Sequence, residues 1–174
     1  MGEVQQETGR VIRLQSGFYT VRSKDQQVMC QLRGRLKKGE TEGDIVAVGD
    51  MVDISLLADG SGVIEEVHPR KKAFVRMAPR PRGEYQQVML ANPDQIVLVF
   101  ACTHPSPNLR MLDRFLVIAE KENIPTLIVV NKVDLLDQET AAEIFEMYPP
   151  LGYPLIFTSA KNSQGIGAVK EKLA

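Results

Sequence analysis

From Thr8 to about Val67, apolar and polar residues alternate in short runs set apart by glycine: 9–14, 17–21, 27–32, 51–56 and 62–67. A period of two is the pattern of a strand with one covered face. Gly43-Asp44, Gly49-Asp50 and Asp59-Gly60-Ser61-Gly62 supply turn chemistry, and no helical stripe of useful length intervenes. Five such strands predict a small closed barrel. An OB-fold is favoured, because it has five strands and commonly binds nucleic acid through strand faces and loops. The pattern alone leaves an SH3-like barrel or another small sheet open.

After Gln86 the rhythm becomes strand, helix, strand, helix. The continuous apolar run Gln95 to Ala101 suits a strand covered on both faces. Ser106 is placed to cap a helix with Pro107 at its first position, and Leu109, Leu112, Phe115, Leu116 and Ala119 make one apolar stripe closed by Asn123 and Pro125. A strand over 126–130, a helix from about Gln138 to Tyr148, a strand over 155–158 and a last helix from about Gly165 follow. This alternation predicts a parallel α/β sheet. Between the two rhythms, Pro69 to Tyr85 carries three prolines and many cations with little periodicity, and reads as an exposed linker. The expected domains are a barrel over 1–68, a basic linker over 69–85 and an α/β part over 86–174.

Composition narrows the class. A chain of 174 residues, 44% apolar and 25% charged, suits one globular domain or two small ones. It has no apolar run near the length that spans a bilayer, and its polar start lacks the plan of a secretory signal, so no membrane association and a cytoplasmic location are expected. Cys30 alternates with Val28 and Leu32 as a core thiol does, and the two cysteines are too scattered to suggest a disulfide or a metal site. His68, His104, Cys30 and Cys102 show no pairing at catalytic spacing.

Net charge is −1, but residues 1–82 carry 14 Lys+Arg against 11 Asp+Glu while residues 83–174 carry 7 against 11. The basic excess therefore lies in the first half, where it can meet phosphate backbones. Candidate RNA contacts are Arg22, Lys24, Arg33, Arg35, Lys37, Lys38, Arg70, Lys71 and Lys72, with Arg76, Arg80 and Arg82 continuing the last cluster. A solvated hinge is the plain alternative for that stretch. Phe18 and Tyr19 are the main stacking options, so backbone and shape contacts are expected to dominate.

The most specific chemistry sits at two strand ends. Asn131-Lys132-Val133-Asp134 follows one apolar run, and Thr158-Ser159-Ala160-Lys161 follows the next. Ligands of parallel sheets bind at such ends. A carboxylate at Asp134 can accept from both N1–H and the 2-amino group of guanine, a pair of donors that adenine lacks. The stem of Lys132 can lie along the base while Asn131 ties the loop to nearby backbone. Ser159 belongs to the second motif, the backbone N–H of Ala160 can donate to guanine O6, and Lys161 can cover the other face of the ring. The plain alternative is a polar turn leaving a strand. No phosphate loop of the form G-x-x-x-x-G-K-[ST] occurs in these 174 residues, and Gly165-Ile166-Gly167-Ala168-Val169-Lys170 lacks its spacing and its Ser/Thr.

The order of barrel, basic stretch, N-K-x-D and S-A-K resembles the circularly permuted GTPases of small-ribosomal-subunit biogenesis, the RsgA or YjeQ family. The resemblance covers nearly the whole chain. It is carried also by Arg33-Gly34-Arg35-Leu36-Lys37, Val48-Gly49-Asp50-Met51-Val52, Ala91-Asn92-Pro93-Asp94-Gln95, Leu112-Asp113-Arg114-Phe115-Leu116 and Leu151-Gly152-Tyr153. It implies a β-barrel of OB-fold type followed by part of a P-loop-GTPase-like α/β domain, with base-reading motifs ahead of the phosphate loop. It also implies GTP/GDP as nucleotide, the small ribosomal subunit and its rRNA as partners, and Mg²⁺ and a structural Zn²⁺ in the intact protein. Their ligands are expected after Ala174, so this chain is expected to be the N-terminal portion of a larger protein, monomeric and inactive alone. A non-catalytic RNA-binding module with a structural α/β half is the alternative reading.

Overall fold

The computed structural model describes residues 6–38, 44–80 and 83–174. Gly43, Arg82 and the start of the chain lie outside them, as do the side chains of Lys37, Lys38 and Arg80. The chain divides into two compact units, Met1–Pro93 and Asp94–Ala174.

In the first unit, β1 (Gln6–Gln15), β2 (Phe18–Ser23), β3 (Gln26–Leu32), β4 (Met51–Leu56) and β5 (Gly62–Val67) close into a barrel in the order β1-β2-β3-β5-β4. Pairing is antiparallel throughout except between β3 and β5, and β1 closes the barrel on β4. This is the OB-fold arrangement that the alternation favoured. Its core is the set of inward alternate positions, among them Val11, Val21, Val28, Val52, Ile54 and Ile64. Cys30 belongs to this set, with no solvent exposure, and burial pushes its thiol up to about 11. Between β3 and β4 lies a short 3-10 helix, Gly34–Lys38.

Residues 69–85, expected to form an exposed linker, are largely strand. β6 (Ala73–Arg80) pairs antiparallel with β7 (Gly83–Ala91) as a two-stranded ribbon bulged between Phe74 and Val75. The prolines misled the reading: both strands of a ribbon have an open edge, which tolerates a Pro79 that a central strand would reject. Gly49, at φ 97°, lies so close to the ribbon's end that a Cβ would sit 1.9 Å from the Ala91 carbonyl oxygen.

In the second unit, β8 (Ile96–Ala101), β9 (Thr126–Asn131) and β10 (Leu155–Phe157) form a parallel sheet in the order β10-β9-β8. The connections hold α1 (Leu109–Lys121) and α2 (Gln138–Phe145), and α3 (Ile166–Leu173) follows β10. Helix α1 begins later than expected: Asn108, not Ser106, caps it, its Oδ1 accepting from the Met111 amide at 3.1 Å. Its stripe is as expected, with Leu112, Leu116 and Ala119 buried. Asp137 caps α2 by accepting from the Thr140 amide at 2.8 Å. No helix among the described residues is long and apolar enough to cross a membrane.

Candidate guanine-recognition site

The parallel register of β9 and β10 brings the two motifs side by side. Phe157 stands beside Val130, and the Thr158 amide donates to the Val130 carbonyl at 2.7 Å, so both chains leave the sheet at the same level. Beyond that level each turns sharply. Lys132 takes a left-handed conformation at φ 68°, opening a single 3-10 turn, Val133–Leu135, that points Asp134 back across the sheet end. On the other chain, Ser159 and Gln164 exchange two backbone hydrogen bonds of 3.0 Å and close a small loop around Ala160 and Lys161. Gly165, at φ 72°, then turns the chain into α3, where a Cβ would meet the Phe157 carbonyl oxygen at 2.2 Å.

Side chains stitch the two loops together. The buried Ser159 hydroxyl donates to Asp134 Oδ1 at 2.6 Å and accepts from the Asn162 amide at 3.2 Å. Asn131 Oδ1 accepts from the Ala160 amide at 3.0 Å and from the Thr158 hydroxyl at 3.2 Å. This is the tie expected of Asn131, and it engages the Ala160 amide, the expected donor to guanine O6.

Lys132 Nζ donates to the His104 carbonyl in the loop after β8. Asp134 is exposed. The Ser159 hydroxyl first, then its own backbone N–H and the positive charges of Lys161 and Lys132, hold its carboxyl below the usual carboxylate range. The arrangement thus presents an ionised, oriented acceptor flanked by two cations.

Sequence reasoning missed the β8 end. Cys102 donates from its backbone amide to the Asn131 carbonyl at 2.9 Å and from its thiol to the Lys132 carbonyl at 3.2 Å, so it shapes the turn that carries Asp134. The only available signal was its position one residue past an apolar strand. It serves as a positioning residue, its thiol and its amide both donating to backbone carbonyls of the turn.

Among the described basic candidates, Lys24 leans on Glu7 at 3.0 Å, Arg33 on Glu65 at 2.7 Å, Arg35 on Glu65 at 3.6 Å, and Arg70 on Asp50 at 2.8 Å. Lys24 keeps its side chain 71% exposed, whereas Arg70 keeps only 23%, so Arg70 is built into the fold. Arg22 and Lys71 are exposed and Lys72 is half-buried. His68 pairs with Asp53 at 3.0 Å.

A closed five-stranded barrel ahead of a parallel α/β region, with N-K-x-D and S-A-K meeting at adjacent strand ends, has the architecture of a circularly permuted GTPase with an N-terminal barrel. Residues 67–174 match the family description "RsgA GTPase" and residues 8–64 match "RsgA N-terminal domain". The chain belongs to the RsgA family.

Among curated relatives, the small ribosomal subunit biogenesis GTPase RsgA of Moorella thermoacetica is 38% identical over 95% of this chain and 52% of its own length. That of Alkaliphilus metalliredigens is 35% identical over the same shares. Among solved structures, YjeQ from Thermotoga maritima superposes with a TM-score of 0.69 at 33% identity, over 97% of this chain and 57% of that one. YloQ, described as a circularly permuted GTPase, gives 0.65 at 30% identity over 97% and 56%. The chain therefore spans about half the length of the curated relatives it matches.

Proposed function

We propose that the intact protein is a GTPase that binds the small ribosomal subunit in the cytoplasm, assists its late maturation, and uses GTP hydrolysis for release. In this reading, residues 1–68 form the rRNA-binding barrel, 69–85 form a basic connecting stretch, and 86–174 form the base-recognising part of the GTPase domain. Asn131, Lys132, Asp134, Ser159, Ala160 and Lys161 read the guanine of GTP or GDP, and the protein acts as a monomer. The observation that carries the reading is the oriented Asp134 carboxylate, held by Ser159 at 2.6 Å and kept below the usual carboxylate range. That is an acceptor made for two adjacent N–H donors.

The present 174 residues hold no phosphate loop. Among the described residues, no group of three or more His, Cys, Asp or Glu is arranged to hold a metal ion. Phosphoryl transfer needs positioned phosphates, a metal and an oriented water. This chain alone is accordingly expected to show no GTP turnover. Mg²⁺-dependent phosphate release above that of a Lys132→Ala/Asp134→Ala double variant would refute it.

Subunit binding is expected to weaken steeply with salt, as phosphate contacts do. Replacing Lys37 and Lys38 with Glu should weaken it further by reversing a local attraction. Unchanged affinity at physiological salt would remove that pair from the footprint.

A further inference from the structure

We propose that the groove between α2 and the outer edge of β10 docks an extended basic segment of a partner protein. One apolar side chain of that segment enters the groove, and its flanking lysines or arginines meet Glu139, Glu143 and Glu146. The groove belongs to the α/β unit and uses none of the guanine-reading residues.

Register leaves this edge open. Among the described residues, β10 is the end strand of the sheet order β10-β9-β8. The Pro154 carbonyl accepts from the Ile128 amide at 2.9 Å and the Thr158 amide donates to the Val130 carbonyl at 2.7 Å. Alternate residues of the ladder therefore face β9, and the main-chain groups of Leu155 and Phe157 turn away from it. Gly165 packs against the Phe157 carbonyl, which makes Leu155 the pairing residue. The side chains of Leu155 and Phe157 share one face and, with Ala142, Phe145 and Pro149, line a depression of about 330 Å³. About 150 Å³ already accommodates a benzene ring, so a leucine-sized side chain fits. A sheet edge beside a side-chain pocket is the setting in which an extended peptide adds as a strand.

The rim of the groove decides the chemistry of its occupant. From Val133 to Ala160 the chain carries Asp134, Asp137, Glu139, Glu143 and Glu146 and no Lys, Arg or His. Asp134 belongs to the guanine site and Asp137 caps α2. The three glutamates are exposed, line the depression and, among the described residues, take part in no ion pair. Helix stability gives no reason for this arrangement. Glu143 stands one turn from both Glu139 and Glu146, and like charges so placed repel. Glu143 lies in the last turn of α2 and Glu146 at its C-cap, where the helix dipole disfavours negative charge. Cations on a partner relieve both effects, whereas the same rim repels nucleic acid. An apolar floor ringed by carboxylates selects a basic peptide.

The test follows the fluorescence polarisation of a short labelled peptide of lysines and arginines with one central leucine. It is added to the whole chain and to the protein carried to the length of its relatives. Both are expected to bind it, and replacing the peptide's leucine with serine should weaken binding about tenfold. Glu143→Lys/Glu146→Lys should weaken the leucine peptide about tenfold while melting no lower than the unaltered protein, because neither carboxylate supports the helix. Ala142→Leu, which narrows the floor, should reduce the preference for leucine over serine. Glu171→Lys, exposed on α3 outside the groove, should leave binding unchanged. Equal affinity for the two peptides, binding of neither, or full affinity in the charge-reversed variant would overturn the proposal. Binding by the present chain but not by the longer protein would also overturn it, assigning the groove to the protein's own remaining segment. Self-association abolished by the same charge reversal would overturn it in favour of a second copy.

Discussion

Replacing Asp134 with Asn is expected to lower the preference for GDP over ADP by about ten- to a hundredfold in the protein carried to the length of its relatives. A carboxylate offers acceptors to both N1–H and the 2-amino group, whereas the Asn amide turns one acceptor into a donor facing a donor. Inosine diphosphate, which lacks the 2-amino group, should fall between GDP and ADP with the unaltered protein.

The same site fixes a pH dependence. The Ser159 hydroxyl and the flanking lysines lower the Asp134 pKa, so protonation is disfavoured. Guanine preference should then hold from neutrality down through the ordinary carboxylate range, and fall only as pH drops through the lowered value. The Asn variant should show no such fall. Competition binding of GDP against ADP across pH measures both effects. Equal selectivity of the two proteins at neutral pH would sink the guanine assignment and favour a structural role for the α/β half.

The second large effect concerns stability. Arg70→Ala is expected to destabilise the barrel-containing unit by about 3 kcal/mol, equivalent to a fall in melting temperature of about 12–24 °C. Asp50 has no solvent exposure. Its carboxylate accepts from Arg70 Nε at 2.8 Å, from Arg70 Nη2 at 2.8 Å and from the Ala47 amide at 2.7 Å. Arg70 also donates to the Asp44 carbonyl at 2.9 Å. Truncating the arginine leaves a buried charge with one amide for company, which is why the loss exceeds that of a surface pair. Lys71→Ala, an exposed neighbour, should stay within about 0.5 kcal/mol. Thermal denaturation followed by circular dichroism compares them, and similar melting of the two variants would contradict the structural role given to Arg70. Loss of RNA affinity in Arg70→Ala should therefore be read as unfolding unless melting is unchanged.

The sequence by itself determined where the elements lie. Alternation located all five barrel strands and the inward run Val28, Cys30 and Leu32, because a period-two pattern is a property of neighbouring residues. It equally determined the stripe of α1 and both strand-end motifs. It was silent or misleading wherever a partner lies far along the chain. The β6–β7 ribbon needed a second strand to make sense of Pro79. Arg70 looked like a phosphate contact until folding set it against Asp50, 20 residues away. The hydrogen bond from the Ala160 amide to Asn131, 29 residues away, is made only when the two strand ends meet. Strand β1 carries a bulge between Val11 and Arg13 that no local propensity announces. Local chemistry fixes periodicity, caps and turns; which polar group meets which is decided only when strand register closes the distances between them.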